Sequence, residues 1–137
     1  MPPRTADMGV AYDLSRQSMA TIEAGDRAGW LALFADDAVV EDPIGPSPLD
    51  PDGVGHRGRD AIARFYDTVI APAEAIRFDI DETIDCGVEC ANLGRIHITM
   101  GGRTAVCRVV STYRASADGR LAALRAYWEF GKLAFDG

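Results

Sequence analysis

The hydrophobic pattern of the chain changes period once, near residue 75. Before that point, apolar residues recur at helical spacing. Val10, Leu14 and Ile22 form one row within residues 7–24, and Ser18 occupies the place in that row where a fourth apolar residue would stand. Gly25 closes this predicted helix. Asp26 is placed to cap a second, short one running through Trp30, Leu33 and Phe34 and stopping at Asp36 and Asp37. Residues 38–42 read as a strand, with Val40 and Asp42 on one face and Val39 and Glu41 on the other. Residues 45–58 carry Pro46, Pro48, Pro51, Gly53 and Gly55, too many breakers for a regular element, and read as a long loop or lid. Ile62, Phe65, Tyr66 and Val69 mark a third helix, ended by Pro72.

From Ala75 onward the period is two. Phe78, Ile80 and Ile84 alternate with polar residues, and Gly94, Ile96, Ile98 and Met100 share a face opposite Leu93, Arg95, His97 and Thr99. Gly101-Gly102 predicts a hairpin turn, after which Cys107, Val109, Ser111 and Tyr113 share a face. Asp118-Gly119 turns the chain again, into Leu124, Ala126, Trp128 and Phe130. Three helices followed by consecutive antiparallel strands predict an α+β meander, its helices packed on one face of a curved antiparallel sheet around an apolar pocket open at one end. A single domain is expected over residues 7–135, with 1–6 as a flexible tail.

Composition narrows the function. Of 137 residues, 47% are hydrophobic and 26% charged, as in ordinary globular proteins, and the formal net charge is −7. With no block of Lys or Arg, that charge argues against nucleic acid and against anionic membrane surfaces as partners. No apolar run reaches the length of a membrane span, and residues 1–8 have no apolar core or cleavage site, so no leader is expected. Cys86, Cys90 and Cys107 are too few for a disulfide scaffold, and no second Cys/His pair completes a zinc site. Free thiols in a reducing cytoplasm, with no metal and no cofactor, are the expectation.

Asp42 is the candidate for chemistry. It shares a face with Val40 and precedes Pro43, which restricts its backbone to the extended region and fixes where its side chain leaves the chain. The plain alternative is a turn aspartate before proline. Glu41, on the other face, is expected to be solvated, His97 to lie on the outer face as a surface or interface histidine, and His56 to be exposed in the long loop.

The run Leu31-Ala32-Leu33-Phe34-Ala35-Asp36-Asp37-Ala38-Val39-Val40-Glu41-Asp42-Pro43-Ile44-Gly45, with Ala61-Ile62-Ala63-Arg64-Phe65-Tyr66 and Leu124-Arg125-Ala126, resembles the bacterial Δ5-3-ketosteroid isomerases. These belong to the cone-shaped nuclear transport factor 2-like superfamily, which includes the SnoaL-like polyketide cyclases. The resemblance implies steroid isomerisation by an aspartate, here Asp42, that carries a proton between two carbons of an unsaturated ketone. The family's two oxyanion donors, a helix tyrosine and a strand aspartic acid, correspond to Ser18 and Ser111. Tyr113 and Tyr66 are the candidate replacements. Ser18 by itself is expected to bond its own helix backbone. Phe34, Phe65, Ile98, Met100, Val109 and Trp128 are expected to line the substrate pocket with Ser18 and Ser111.

The outer sheet face mixes Leu93, Val106, Val110 and Tyr127 with Arg95, Arg108 and Arg125, which suits an isologous homodimer of the kind the resemblance implies. A steroid or another small hydrophobic ligand is the expected partner. Three activities are compatible with the sequence: a steroid isomerase, a steroid-binding protein without turnover, and a polyketide-cyclase-like enzyme. Epoxide hydrolysis on this fold needs an inward arginine, and Arg95, Arg108 and Arg125 all read as outward.

Overall fold

The computed structural model of the chain describes residues 9–135. Helix α1 spans Val10–Glu23 and buries Ala11, Leu14, Ser15 and Ser18. The anticipated start at residue 7 and the tail at 1–6 lie outside the described residues. Gly25 ends the helix in the left-handed region (φ 69°), its N–H bonded to the Ile22 carbonyl. Asp26 then caps α2, Arg27–Leu31, accepting a hydrogen bond from the Gly29 N–H at 2.9 Å. The second helix is shorter than its pattern suggested. Phe34, assigned to it from spacing, instead opens strand β1, Phe34–Glu41, because its ring is needed in the core edge-on to Trp30.

The long loop is more structured than its breakers implied. It holds a Ser47–Asp50 bridge and a two-residue strand β2, His56–Arg57, paired antiparallel to β1. Asp50, nearly buried, accepts from the Gly55 N–H and braces the loop from within. His56 is partly buried rather than exposed, its ring 4.7 Å from that of Phe65. Helix α3, Arg59–Phe65, continues into a π-helical turn, Tyr66–Ile70.

Four long strands complete the chain: β3 Ala75–Asp85, β4 Glu89–Met100, β5 Arg103–Ala115 and β6 Leu121–Tyr127. They pair in antiparallel sequence, and the sheet order is β2-β1-β6-β5-β4-β3. The expectation of a purely antiparallel sheet fails at one place, where β1 runs parallel to β6. Two strands also precede the third helix, so the chain is not a simple run of helices followed by strands. Both departures share a cause. The strand bearing Asp42 covers the free edge of β6 instead of leaving it open.

The inner residues of β4, β5 and β6 follow the predicted alternation and meet α1 and α3 in one core. Trp30, Phe34, Ile62 and Leu121 are wholly buried there, each contributing on the order of 2 kcal/mol. Glu41 is not solvated, since its carboxylate accepts from Arg125 Nε at 3.1 Å on the neighbouring strand.

The sheet bends at Gly94. The β3–β4 register shifts between Ile80 and Glu82, and a Cβ at Gly94 would lie 2.2 Å from the Asp79 carbonyl oxygen. Only glycine admits so close an approach, and the bulge curves the sheet toward the helices. Gly94→Ala is therefore expected to lower unfolding free energy by about 1–3 kcal/mol, read from urea denaturation.

Candidate active site

The curvature leaves a cavity of about 290 Å³ between the inner sheet face, α1 and the end of α3, near the lower end of the size range for small-molecule sites. Its walls are mainly apolar. Ile96, Ile98 and Phe78 come from the sheet, Phe65 and Val69 from the third helix and its π turn, and Leu49 from the long loop. The π turn matters here, because its i→i+5 bond, Ala71 N–H to Tyr66 carbonyl, presents Thr68, Val69 and Ile70 together to the cavity.

Polar groups gather at one end. Asp42 sits just beyond β1, on the face of Val40, with a cis peptide bond to Pro43. The chain is pinned there by the Ile44 N–H donating to the Ala126 carbonyl at 3.0 Å. The indole N–H of Trp128, just past β6, donates to Asp42 Oδ1 at 2.5 Å. Burial in apolar surroundings pushes the Asp42 pKa up to about 6, and the Trp128 hydrogen bond restrains the rise by favouring the carboxylate.

Tyr113, Ser111 and Ser18 complete the polar end, and all three are buried. The hydroxyls of Ser18 and Ser111 lie within hydrogen-bonding reach of the Tyr113 hydroxyl and favour its ionised form. Burial, reinforced by the negative charge of Asp42, outweighs them and holds Tyr113 above the ordinary tyrosine range. Tyr113 is thus a donor at every physiological pH. Ser18 does not bond its own helix backbone, as a helical serine usually would. It accepts from the buried Trp30 Nε1 at 3.0 Å.

Asp42, Tyr113, Ser18, Ser111, Trp128, Phe65, Ile98 and Met100 all line the cavity, as sequence reasoning anticipated. Tyr66, Phe34 and Val109 do not. Tyr66 and Phe34 both pack against the Trp30 ring, with centroids at 5.5 and 4.7 Å. Val109 is buried, away from the cavity lining. The family resemblance had put Tyr66 in the site, but adjacent helical residues point about 100° apart, and of Phe65 and Tyr66 only Phe65 lines the cavity. Not named for the lining were Leu49, the π-turn residues, Cys107, and Phe130, Leu133 and Phe135 after β6. The pattern had carried the last strand through Phe130, but β6 ends at Tyr127 and Phe130 opens a 3₁₀ turn. Cys107 lay on the inward period of β5 and was legible there. Beyond Phe130 the segment has no periodicity, and a bridge from Phe135 to Ala105 ties it to β5.

A family model described as a SnoaL-like domain matches residues 15–124. The chain belongs to the SnoaL-like family. It is 26% identical over 112 residues to a steroid Δ-isomerase of Nocardioides simplex, covering 82% of this chain and 84% of that protein. Among solved structures it resembles the Δ5-3-ketosteroid isomerase from Mycobacterium sp., with TM-score 0.86, 40% identity and coverage of 93% of this chain and 98% of the other. RV0760c from Mycobacterium tuberculosis in complex with estradiol-17beta-hemisuccinate is also similar, with TM-score 0.85, 38% identity and coverage of 92% and 98%. The SnoaL-like domain thus has both an isomerase and a steroid-bound protein among its structural neighbours. No helix among the described residues is long and apolar enough to cross a membrane.

The raised Asp42 pKa has a consequence for stability. The unfolded chain ionises Asp42 near 3.8 and the folded one near 6, so between these values the folded state holds the extra proton. The stability from this group is complete below about pH 4 and is lost as pH rises through about 6, by on the order of 2–3 kcal/mol. Asp67, Asp79 and Asp118, whose pKa values are lowered, act in the opposite sense. Comparing wild type with Asp42→Asn therefore isolates the effect. Urea unfolding should show their difference in stability changing between pH 4 and 7, in favour of the variant at the upper end. Trp128→Phe should move the Asp42 ionisation upward from 6 by about one pH unit, followed by carboxyl ¹³C NMR.

Proposed function

We propose that this SnoaL-like protein isomerises a steroid-like unsaturated ketone, shifting its double bond into conjugation with the carbonyl. The observation that carries this reading is a carboxylate with a pKa of about 6, held in an apolar cavity at the same end as a buried tyrosine hydroxyl. A base of that strength is mostly ionised at neutral pH yet basic enough to take a proton made acidic by an adjacent ketone. The similarity to two isomerases supports it further.

In the first step, Asp42 takes the proton from the carbon lying between the carbonyl and the double bond. The C–H electrons pass into a dienolate, whose charge rests on the ketone oxygen, and Asp42 becomes a neutral acid. Tyr113 donates a hydrogen bond to that oxygen. In the second step Asp42 returns the proton to the far carbon of the former double bond, and the conjugated ketone forms. Nothing is consumed, and no cofactor enters the balance.

The two groups reinforce each other. The charge on Asp42 makes Tyr113 a weaker acid. Once Asp42 has accepted the proton, that charge is gone, and Tyr113 becomes a stronger donor as the oxygen turns negative. The gain appears in the intermediate and not in the ground state, which is where it accelerates the reaction.

A second reading has an observation of its own. Serines stand where the resemblance places both usual oxyanion donors, and Tyr113 is held weakly acidic. A cavity of this kind suits a steroid-binding protein without turnover, and the similarity to a protein bound to a steroid ester supports it. Cyclase-like chemistry at a single aspartate is the remaining alternative; the lining contains no arginine among the described residues, which disfavours epoxide hydrolysis.

Conversion of 5-androstene-3,17-dione, followed by the absorbance of the conjugated enone, separates these readings. Under the first, kcat/KM rises with pH through about 6 and then levels. Asp42→Asn lowers kcat by about 10²–10⁴ and Tyr113→Phe by about 10²–10³, with steroid affinity within a few fold of wild type. Wild-type binding without turnover favours the second reading.

We also infer a homodimer formed through the outer sheet face, where Val106, Val110 and Tyr127 are 48, 37 and 49% exposed. Val110→Glu should shift the sedimenting species from dimer to monomer. The free cysteines fit a reducing, cytoplasmic setting.

A further inference from the structure

Trp30 has no contact with the cavity, yet one of its atoms bears on the ketone-binding end. The indole is wholly buried, with Phe34 packed edge-on at 4.7 Å and Tyr66 tilted at 5.5 Å on the ring. Its Nε1–H, which can only donate, points at Ser18 Oγ at 3.0 Å. Ser18 is 1% exposed.

A serine hydroxyl has one proton and two lone pairs. On α1 the other serine and threonine hydroxyls send their protons back to the helix backbone, Ser15 to the Tyr12 carbonyl and Thr21 to the Gln17 carbonyl. Ser18 has no such bond among the described residues. One of its lone pairs is taken by Trp30, and the polar group within its reach on the cavity side is the Tyr113 hydroxyl. With Trp30 as donor, the serine proton is free for the Tyr113 oxygen, and the Tyr113 proton is left to face the cavity. A donor behind a donor polarises the outer one.

We propose that Trp30 is a positioning residue for the ketone site, fixing the Ser18 hydroxyl as an acceptor so that Ser18 donates to Tyr113 and Tyr113 donates to the ligand oxygen. This rests on the assignment of Tyr113 as the group that meets the ketone oxygen. It also gives Tyr66 a role from outside the cavity, since its ring holds one side of the Trp30 indole. The order of the chain is Trp30, Ser18, Tyr113, ligand.

The test uses a pair of ligands, the phenolic steroid equilenin and its analogue lacking the phenol oxygen, with affinities from isothermal titration calorimetry. Wild type should bind equilenin the more tightly. Trp30→Phe, which keeps an aromatic ring but no N–H, should cut that preference by roughly tenfold while leaving affinity for the deoxy analogue within about twofold. Ser18→Ala should do the same, and neither change should matter further in a Tyr113→Phe background. Should Trp30→Phe not fold, 3-benzothienylalanine at position 30 replaces the N–H by sulfur at constant shape and must give the same result. Equal loss for both ligands, or a full effect in the Tyr113→Phe background, would mean that Trp30 only fills space and would overturn the proposal. Preference for equilenin without isomerase turnover defeats the enzymatic reading and leaves this chain to be judged on the affinities. No preference in wild type sinks the ketone-site assignment and the chain together.

Discussion

One hydrogen bond organises the site, the indole N–H of Trp128 to the carboxylate of Asp42. A carboxylate in an apolar cavity is driven toward its neutral form, and a single fixed donor opposes that drive without cancelling it. The balance leaves Asp42 weakly basic near neutrality, unlike a surface aspartate, which is far too acidic to hold a proton. An arginine in place of the indole would bring full positive charge and pull the carboxylate back to surface-like acidity. An indole supplies direction with no net charge. The bond also requires strand β1 and the end of β6 to be neighbours, which accounts for the parallel pairing inside an otherwise antiparallel sheet.

The cavity is graded from polar to apolar along the sheet. Ser111 and Tyr113 on β5 mark the polar end, and Ala105, beside Ile98 on β4, lies six residues away, roughly 20 Å at strand spacing. Met100, one step further, is 39% exposed, whereas Tyr113 is 3% exposed, so the polar end is the closed one. Ile96, Phe78 and Val69 give the cavity its apolar wall. The curvature at Gly94 and the π turn after α3 shape the walls of this cavity.

In the proposed reading, the site keeps the base of the isomerases it resembles and changes the oxyanion end. The resemblance sets Ser18 and Ser111 at the positions of the family's donors, and Tyr113 lies two residues from Ser111 on the same strand face. Serine is too weak an acid to share charge with an enolate, so in the proposed reading the serines act through Tyr113, as donors to its oxygen. Under the proposed reading the same three hydroxyls also suit a neutral ketone, so catalysis and plain binding are separated by rate.

The sequence alone determined the α+β class, the inward faces of the last three strands and the position of Asp42, because period-two alternation and a proline after a strand are local constraints that each residue carries with it. The family resemblance also set Ser18, Ser111 and Trp128 at the cavity, and the strand period put Tyr113 on the face of Ser111. Tertiary structure decided what no local pattern encodes. Phe34 left its helix for a strand and Tyr66 turned from the cavity to the core, both drawn by the Trp30 ring. Glu41 found Arg125 across the parallel pair that local spacing does not announce. Ser18 exchanged its own helix carbonyl for an indole twelve residues along the chain. These outcomes depend on which groups meet across space, and a one-dimensional pattern records the direction of a side chain but not the partner waiting there.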